Sequence, residues 1–141
     1  MHLKTKLRSY YLTAIFSVFF ALTGFIYNTW RMEVTEDNNN IRTAAFEVLV
    51  VLAEFEQIVY AAHYDKNTIE GNPRLGWVKI GLAYDLSSLI SPQTEKDINL
   101  LVEVWRTTWS KLEDDDSDID PLVKSITEAR MEIKRTLKSL D

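Results

Sequence analysis

The chain has 141 residues, 46% of them hydrophobic and 26% charged, which allows one compact domain plus an appended segment and excludes a disordered chain. Its net charge of −5 is unevenly placed: Lys4, Lys6 and Arg8 precede every acidic residue, and after Trp30 13 Lys and Arg stand against 21 Asp and Glu, a formal charge of −8. An acidic surface of that kind repels phosphate backbones and anionic headgroups, and the absence of cysteine removes disulfide, thiol and zinc-finger chemistry, so nucleic acid is not expected as a partner.

Four glycines and three prolines are too few for a β-sandwich with a turn every dozen residues, so the fold class expected is all-α. The first element is the uncharged run from Ser9 to Trp30, SYYLTAIFSVFFALTGFIYNTW. At ~1.5 Å rise per residue, its 22 residues span a ~30 Å hydrocarbon core. Tyr10 and Tyr11 mark one end and Tyr27 and Trp30 the other, where aromatic rings favour the headgroup level. Basic residues before the run and acidic residues after it put the N-terminus in the cytoplasm. The expected organisation is a cytoplasmic basic segment over 1–9, a single transmembrane helix over 10–30 in the inner (cytoplasmic) membrane, and an extracytoplasmic, periplasmic helical bundle over 31–141. A cleaved signal peptide is the rival reading, but the run is longer than an ordinary secretory apolar region and no small-x-small cleavage pattern follows it. Thr13, Ser17 and Ala21 recur every four residues, a small-residue stripe on which a second membrane helix can pack.

After a polar stretch, Thr35 to Asn40, apolar residues fall at Ile41, Ala45, Val48, Leu52, Phe55, Val59 and Ala62. This alternation of three and four predicts a helix to about Tyr64 that packs along its length against near-parallel neighbours, with Ala44, Val51 and Ile58 widening the stripe. Asn72 before Pro73 predicts a cap and a second bundle helix with an apolar face of Leu75, Val78, Leu82, Leu86 and Leu89, weakened by Gly76 and Gly81. Ser91 with Pro92, or Thr94 with Asp97, caps a third helix whose apolar face is Ile98, Leu101, Trp105, Trp109 and Leu112. Asp120 before Pro121 starts a fourth, with Leu122, Ile126, Ala129, Ile133 and Leu137 inward. Four helices of roughly 18–25 residues with short links predict a four-helix bundle.

Few residues suggest chemistry. His63, near Asp65, Tyr60 and Tyr64, reads as a helix-end histidine, and the other histidine, His2, precedes the membrane run, so no metal site is expected in the bundle. Asp114, Asp116, Asp118 and Asp120 alternate like the start of a calcium loop, but Ile119 and Ser125 stand where such a loop needs glycine and glutamate. There is no Walker loop, dinucleotide fingerprint or nucleophile elbow, so neither a cofactor nor an enzymatic activity is expected. Trp77, Trp105 and Trp109 with Arg106 nearby form a candidate ligand pocket for a small anionic or amphipathic molecule, set against the plainer reading that the tryptophans fill the core.

A basic start, a crossing helix, a long heptad helix from about Ile41 and then GNPRLGWVKIGLAYDLSSLI resembles the helical extracytoplasmic input domains of sensor histidine kinases and chemoreceptors. The resemblance implies a sensory role and a second crossing helix after the bundle. Here the last helix carries Lys124, Arg130, Lys134, Arg135 and Lys138, too many charges to cross a bilayer. The expectation is therefore a receptor fragment or a free-standing relative, a non-enzymatic module that binds a membrane-protein partner or pairs as a homodimer. The alternative is a membrane-anchored inhibitor or immunity-type protein whose acidic surface occludes a basic extracytoplasmic target.

Overall fold

The computed structural model describes residues 2–114 and 118–140, and among these the chain is all-helical with no strand. Four α-helices follow in order: α1, His2–His63; α2, Pro73–Ser87; α3, Pro92–Thr108; and α4, Asp120–Ser139. A single 3₁₀ turn, Trp109–Lys111, extends α3. The polar stretch expected to separate a membrane helix from a bundle helix is itself helical, and α1 passes through it without a break. No glycine or proline lies between Met32 and Gly71, so the local sequence supplies nothing to stop it.

The chain divides into two compact units, Met1–Asn38 and Asn39–Asp141. The first is a length of α1 alone. Among the described residues its apolar side chains, including Tyr10, Phe16, Phe19, Phe20, Phe25 and Trp30, are all exposed.

The second unit holds one core to which all four helices contribute. From α1 come Ala45, Val48, Leu52, Phe55 and Val59, each fully buried. From α4 come Leu122, Ile126, Ala129 and Ile133, also fully buried, with Leu137 at the margin. Both stripes are those the sequence periodicity predicts. Contacts fix the relative directions. Arg42 Nη2 donates to Leu140 O at 3.2 Å and Arg130 Nη1 to Glu56 Oε2 at 2.7 Å, so α4 runs antiparallel to α1. Gly71 lies against Ala62 and Lys79 pairs with Glu54, so α2 is antiparallel to α1 as well. Phe55 meets Trp105 edge-on at 5.0 Å, and His63 Nδ1 lies 3.0 Å from Leu112 O, so α3 runs with α1.

The helix starts follow local chemistry. Asn72 caps α2, its side chain accepting from Arg74 N at 3.0 Å, with Pro73 in the first turn. Ser91, not Thr94, caps α3, accepting from Thr94 N at 3.0 Å. At α4 the expected cap Asp120 is already the first helical residue, and Ile119 takes the cap position. Asp118 Oδ1 instead accepts from Asp120 N, a turn that precedes the helix. Helices α2 and α3 have 15 and 17 residues, shorter than the sequence suggests.

One expected face is reversed. Helix α2 buries Gly76, Ile80, Ala83 and Ser87, while Leu75, Val78, Leu82 and Leu89 are exposed and Leu86 is half-buried. The reason is steric. A Cβ built on Gly76 would approach the Trp105 ring to 2.5 Å, so the indole sits where only a glycine leaves room. Seating the largest core side chain against small residues of α2 turns the leucines outward.

Candidate functional site

The four residues of the expected ligand pocket differ in burial and position. Trp105 is a core residue, 0% exposed, held edge-on by Phe55 and by Trp77, the latter at 6.1 Å. Its Nε1 is the one buried side-chain nitrogen or oxygen without a hydrogen-bond partner among the described residues. Trp77 is half-buried at the edge of this cluster. Arg106 is exposed and paired with Glu103 on its own helix at 3.1 Å. Trp109 lies in the 3₁₀ turn and is 39% exposed. It lines a cleft of about 240 Å³ with Ala62, Pro73, Ser110, Leu112, Glu113 and Asp114. Trp109 N–H still donates to Trp105 O, so the two keep α-helical spacing, and Trp109 is left part-exposed at the end of α3, where the 3₁₀ turn begins.

Thr13, Ser17 and Ala21 are exposed on the first unit. Thr13 Oγ1 donates to Ser9 O at 3.0 Å and Ser17 Oγ to Thr13 O at 2.9 Å. Thr23 and Thr29 do the same to Phe19 O and Phe25 O. These four hydroxyls thus spend their protons on the carbonyl one turn back. Among the described residues one helix, α1, is long and apolar enough to cross a membrane: its apolar window has a mean hydropathy of 1.6 and none of it is buried.

His63, half-buried, sits with Nδ1 against Leu112 O, and a carbonyl can only accept, so Nδ1 carries the proton there. The contact ties the end of α1 to the turn after α3. Of the acidic loop, Asp116 lies outside the described residues, and Asp114, Asp118 and Asp120 are exposed. Among the described residues no three His, Asp or Glu side chains come together as a metal site would need.

Two features are invisible to periodicity. The first is a half-buried cluster between α1 and α4: Glu56 accepts from Arg130 at 2.7 Å through Oε2 and from Tyr60 OH at 3.2 Å through Oε1. Burial, then the charge of Glu56 and the hydrogen bond to it, raise the Tyr60 phenol above its ordinary pKa. Its signal in sequence is the pair Glu56 and Tyr60, four apart, but the partner Arg130 is 74 residues away. The second is the outward face of α1 and α2. Val50 of α1 is 54% exposed, and Val78 and Leu82 of α2 are 66% and 39% exposed, whereas Phe46 lies beside Leu137 and Lys138 of α4. Leu75 of α2 and Leu89, just past its end, are exposed as well. Five large apolar side chains on α1, α2 and the turn after it are more than scattered surface hydrophobes.

Comparison with protein-family models, with curated proteins and with solved structures finds no match to the chain.

Proposed function

We propose that the protein is a non-enzymatic, membrane-anchored accessory module. Residues 10–30 cross the inner membrane with the N-terminus in the cytoplasm, and the residues after them form an extracytoplasmic, periplasmic four-helix bundle that binds another protein chain in or at the membrane. The observation that carries this reading is the uncharged run Ser9–Trp30, none of whose large apolar side chains is covered. Water makes so much bare apolar surface costly, whereas a bilayer covers it, and hydroxyls already bonded to their own backbone remain satisfied there. The acidic charge after Trp30 and the basic residues before Ser9 supply the orientation.

A protein partner is favoured over a small ligand. The cleft beside Trp109 is smaller than the ~300–1,000 Å³ usual for ligand pockets, and the tryptophan best placed to wall a pocket is spent on the core. The sensory reading shares the same anchor and bundle but needs a signal to bind, and the apolar α1/α2 face supplies a protein-binding surface directly.

The chain lacks cysteine, so single cysteines report topology without background. Ser139→Cys is expected to react with an impermeant maleimide in intact spheroplasts, and Thr5→Cys only after permeabilisation. The reverse pattern overturns the orientation, and release of the chain from carbonate-washed membranes overturns the anchor.

A further inference from the structure

The outward α1/α2 face has a geometry that selects its own copy. The Glu54–Lys79 ion pair and the contact of Gly71 with Ala62 set the same register between the two antiparallel helices, in which the residue numbers at one level total 133. Val50 therefore lies level with Ala83 and Leu82, whereas Phe46 lies beside Arg42, Leu137 and Lys138 on the α4 side and is not part of this face. Along the helices the face reads as an apolar level, Val50 with Leu82, then a level of opposite charges, then the exposed Val78 and Leu75. Within it, Glu54 and Lys79 are 46% and 33% exposed by side chain, so each keeps a charged edge turned to solvent.

We propose that this face pairs two copies of the chain about a two-fold axis parallel to the helices. Such an axis preserves levels and exchanges helices, so α1 of one copy lies against α2 of the other. Val50 then meets Leu82 of the second copy, and Glu54 meets Lys79. The two internal ion pairs become a ring of four alternating charges. A face that carries both signs at one level, one on each helix, is complementary to itself under this rotation, which is the requirement for an isologous interface. The like charge of −8 on each copy favours contact where the sign balances, and the Glu54–Lys79 level is such a place. The orientation rests on the membrane-anchored reading: copies held by their N-terminal segments in one bilayer meet side by side and not head to tail, at raised effective concentration.

The test uses full-length chains with two different tags, co-expressed and solubilised in mild detergent, and scores how much of one tag is recovered with the other. Glu54→Lys alone places four cations at one level of the pair, and Lys79→Glu alone places four anions there. Each is expected to lower recovery roughly tenfold. Co-expressing the Glu54→Lys copy with the Lys79→Glu copy breaks both internal ion pairs but restores every contact between copies, so recovery of that mixed pair should return to near the parent level. Val78→Glu, at an exposed position, should lower recovery without altering the near-ultraviolet circular dichroism of the chain. Single variants that pair as the parent does would overturn the proposal, as would single variants that fail without rescue in the mixed pair. Loss of pairing confined to Ser17→Leu with Ala21→Leu would also overturn it, because the apolar segment would then be the contact. Retention in carbonate-washed membranes is scored on the same preparations, so a failed anchor and a failed pairing face are read separately.

Discussion

Helices α2 and α4 carry apolar residues at similar helical spacings, yet α4 turns its stripe inward and α2 turns most of its own outward. On α4, Leu122, Ile126, Ala129 and Ile133 are fully buried, and the opposite side is charged, so one face alone can enter a core. On α2 two stripes compete. Leu75, Val78, Leu82 and Leu89 are the more hydrophobic, but Gly76, Ile80, Ala83 and Ser87 are spaced by four, three and four and are smaller, and these are the ones buried. Space decides between them. Trp105 and Phe55 already fill the interior opposite α2, and a helix that presents glycine and alanine to them reaches dense packing where leucines would collide. Hydrophobicity alone therefore identifies a core face only where no second face of suitable spacing competes with it.

The largest expected effect breaks the comparison at its centre. Ile126→Ala on α4 removes fully buried volume and should cost about 2–5 kcal/mol, whereas Leu82→Ala on α2 should stay within about 0.5 kcal/mol for the monomer. Thermal melts of the full-length chain in detergent, followed by near-ultraviolet circular dichroism, measure both. For a unit near 100 residues the first corresponds to a fall of roughly 10 °C or more. Equal losses would mean that α2 packs its leucines inward.

A smaller effect sharpens the same point on α2 itself. Gly76→Ala forces a methyl group into the Trp105 ring and should cost about 1–3 kcal/mol, the usual penalty of overpacking. Gly81→Ala, one and a half turns further along, meets nothing within 4 Å and should stabilise the helix by up to about 1 kcal/mol. Opposite signs at two glycines of one helix identify Gly76 as a seat for the indole. Matching gains at both would remove that role.

What was legible in the sequence follows from the same physics. The α1 stripe Ala45 to Ala62 and the α4 stripe Leu122 to Ile133 are strong single patterns, and both are buried as read. The caps at Asn72 and Ser91 are local bonds between neighbours, which sequence encodes directly. The crossing helix over 10–30 and the heptad helix from about Ile41 are one continuous α1, because polarity after Thr35 ends a core face and does not end a helix. The α2 face was hidden because it depends on a ring contributed from another helix, and the level of Glu54 with Lys79 is a tertiary register that no local spacing states. Trp105 and Trp109 keep α-helical spacing, but Trp109 stands at the end of α3 and is 39% exposed while Trp105 is fully buried, a difference that spacing alone does not state.

The smallest expected effect compares the two ion pairs by which α1 ties itself to its antiparallel neighbours. Glu54–Lys79 toward α2 is half-exposed and solvent screens it, while Glu56–Arg130 toward α4 is 20% and 22% exposed and holds the Tyr60 hydroxyl as well. Burial first, and then the neighbouring Glu56 carboxylate, favour the protonated phenol, so the folded Tyr60 keeps its proton to higher pH than the unfolded chain does. A group whose folded pKa is raised contributes stability that is fully present below its unfolded value near pH 10 and is lost as pH rises through the folded value. The parent should therefore lose stability relative to Tyr60→Phe between pH 10 and the raised folded value, with their difference constant at lower pH. Urea melts of both chains from pH 8 to pH 11 measure this, and a third chain carrying Glu56→Gln should show a smaller alkaline loss than the parent because the opposing charge is gone. No change in the difference across that range would mean that the phenol is free of Glu56 and that the α1–α4 contact holds without it.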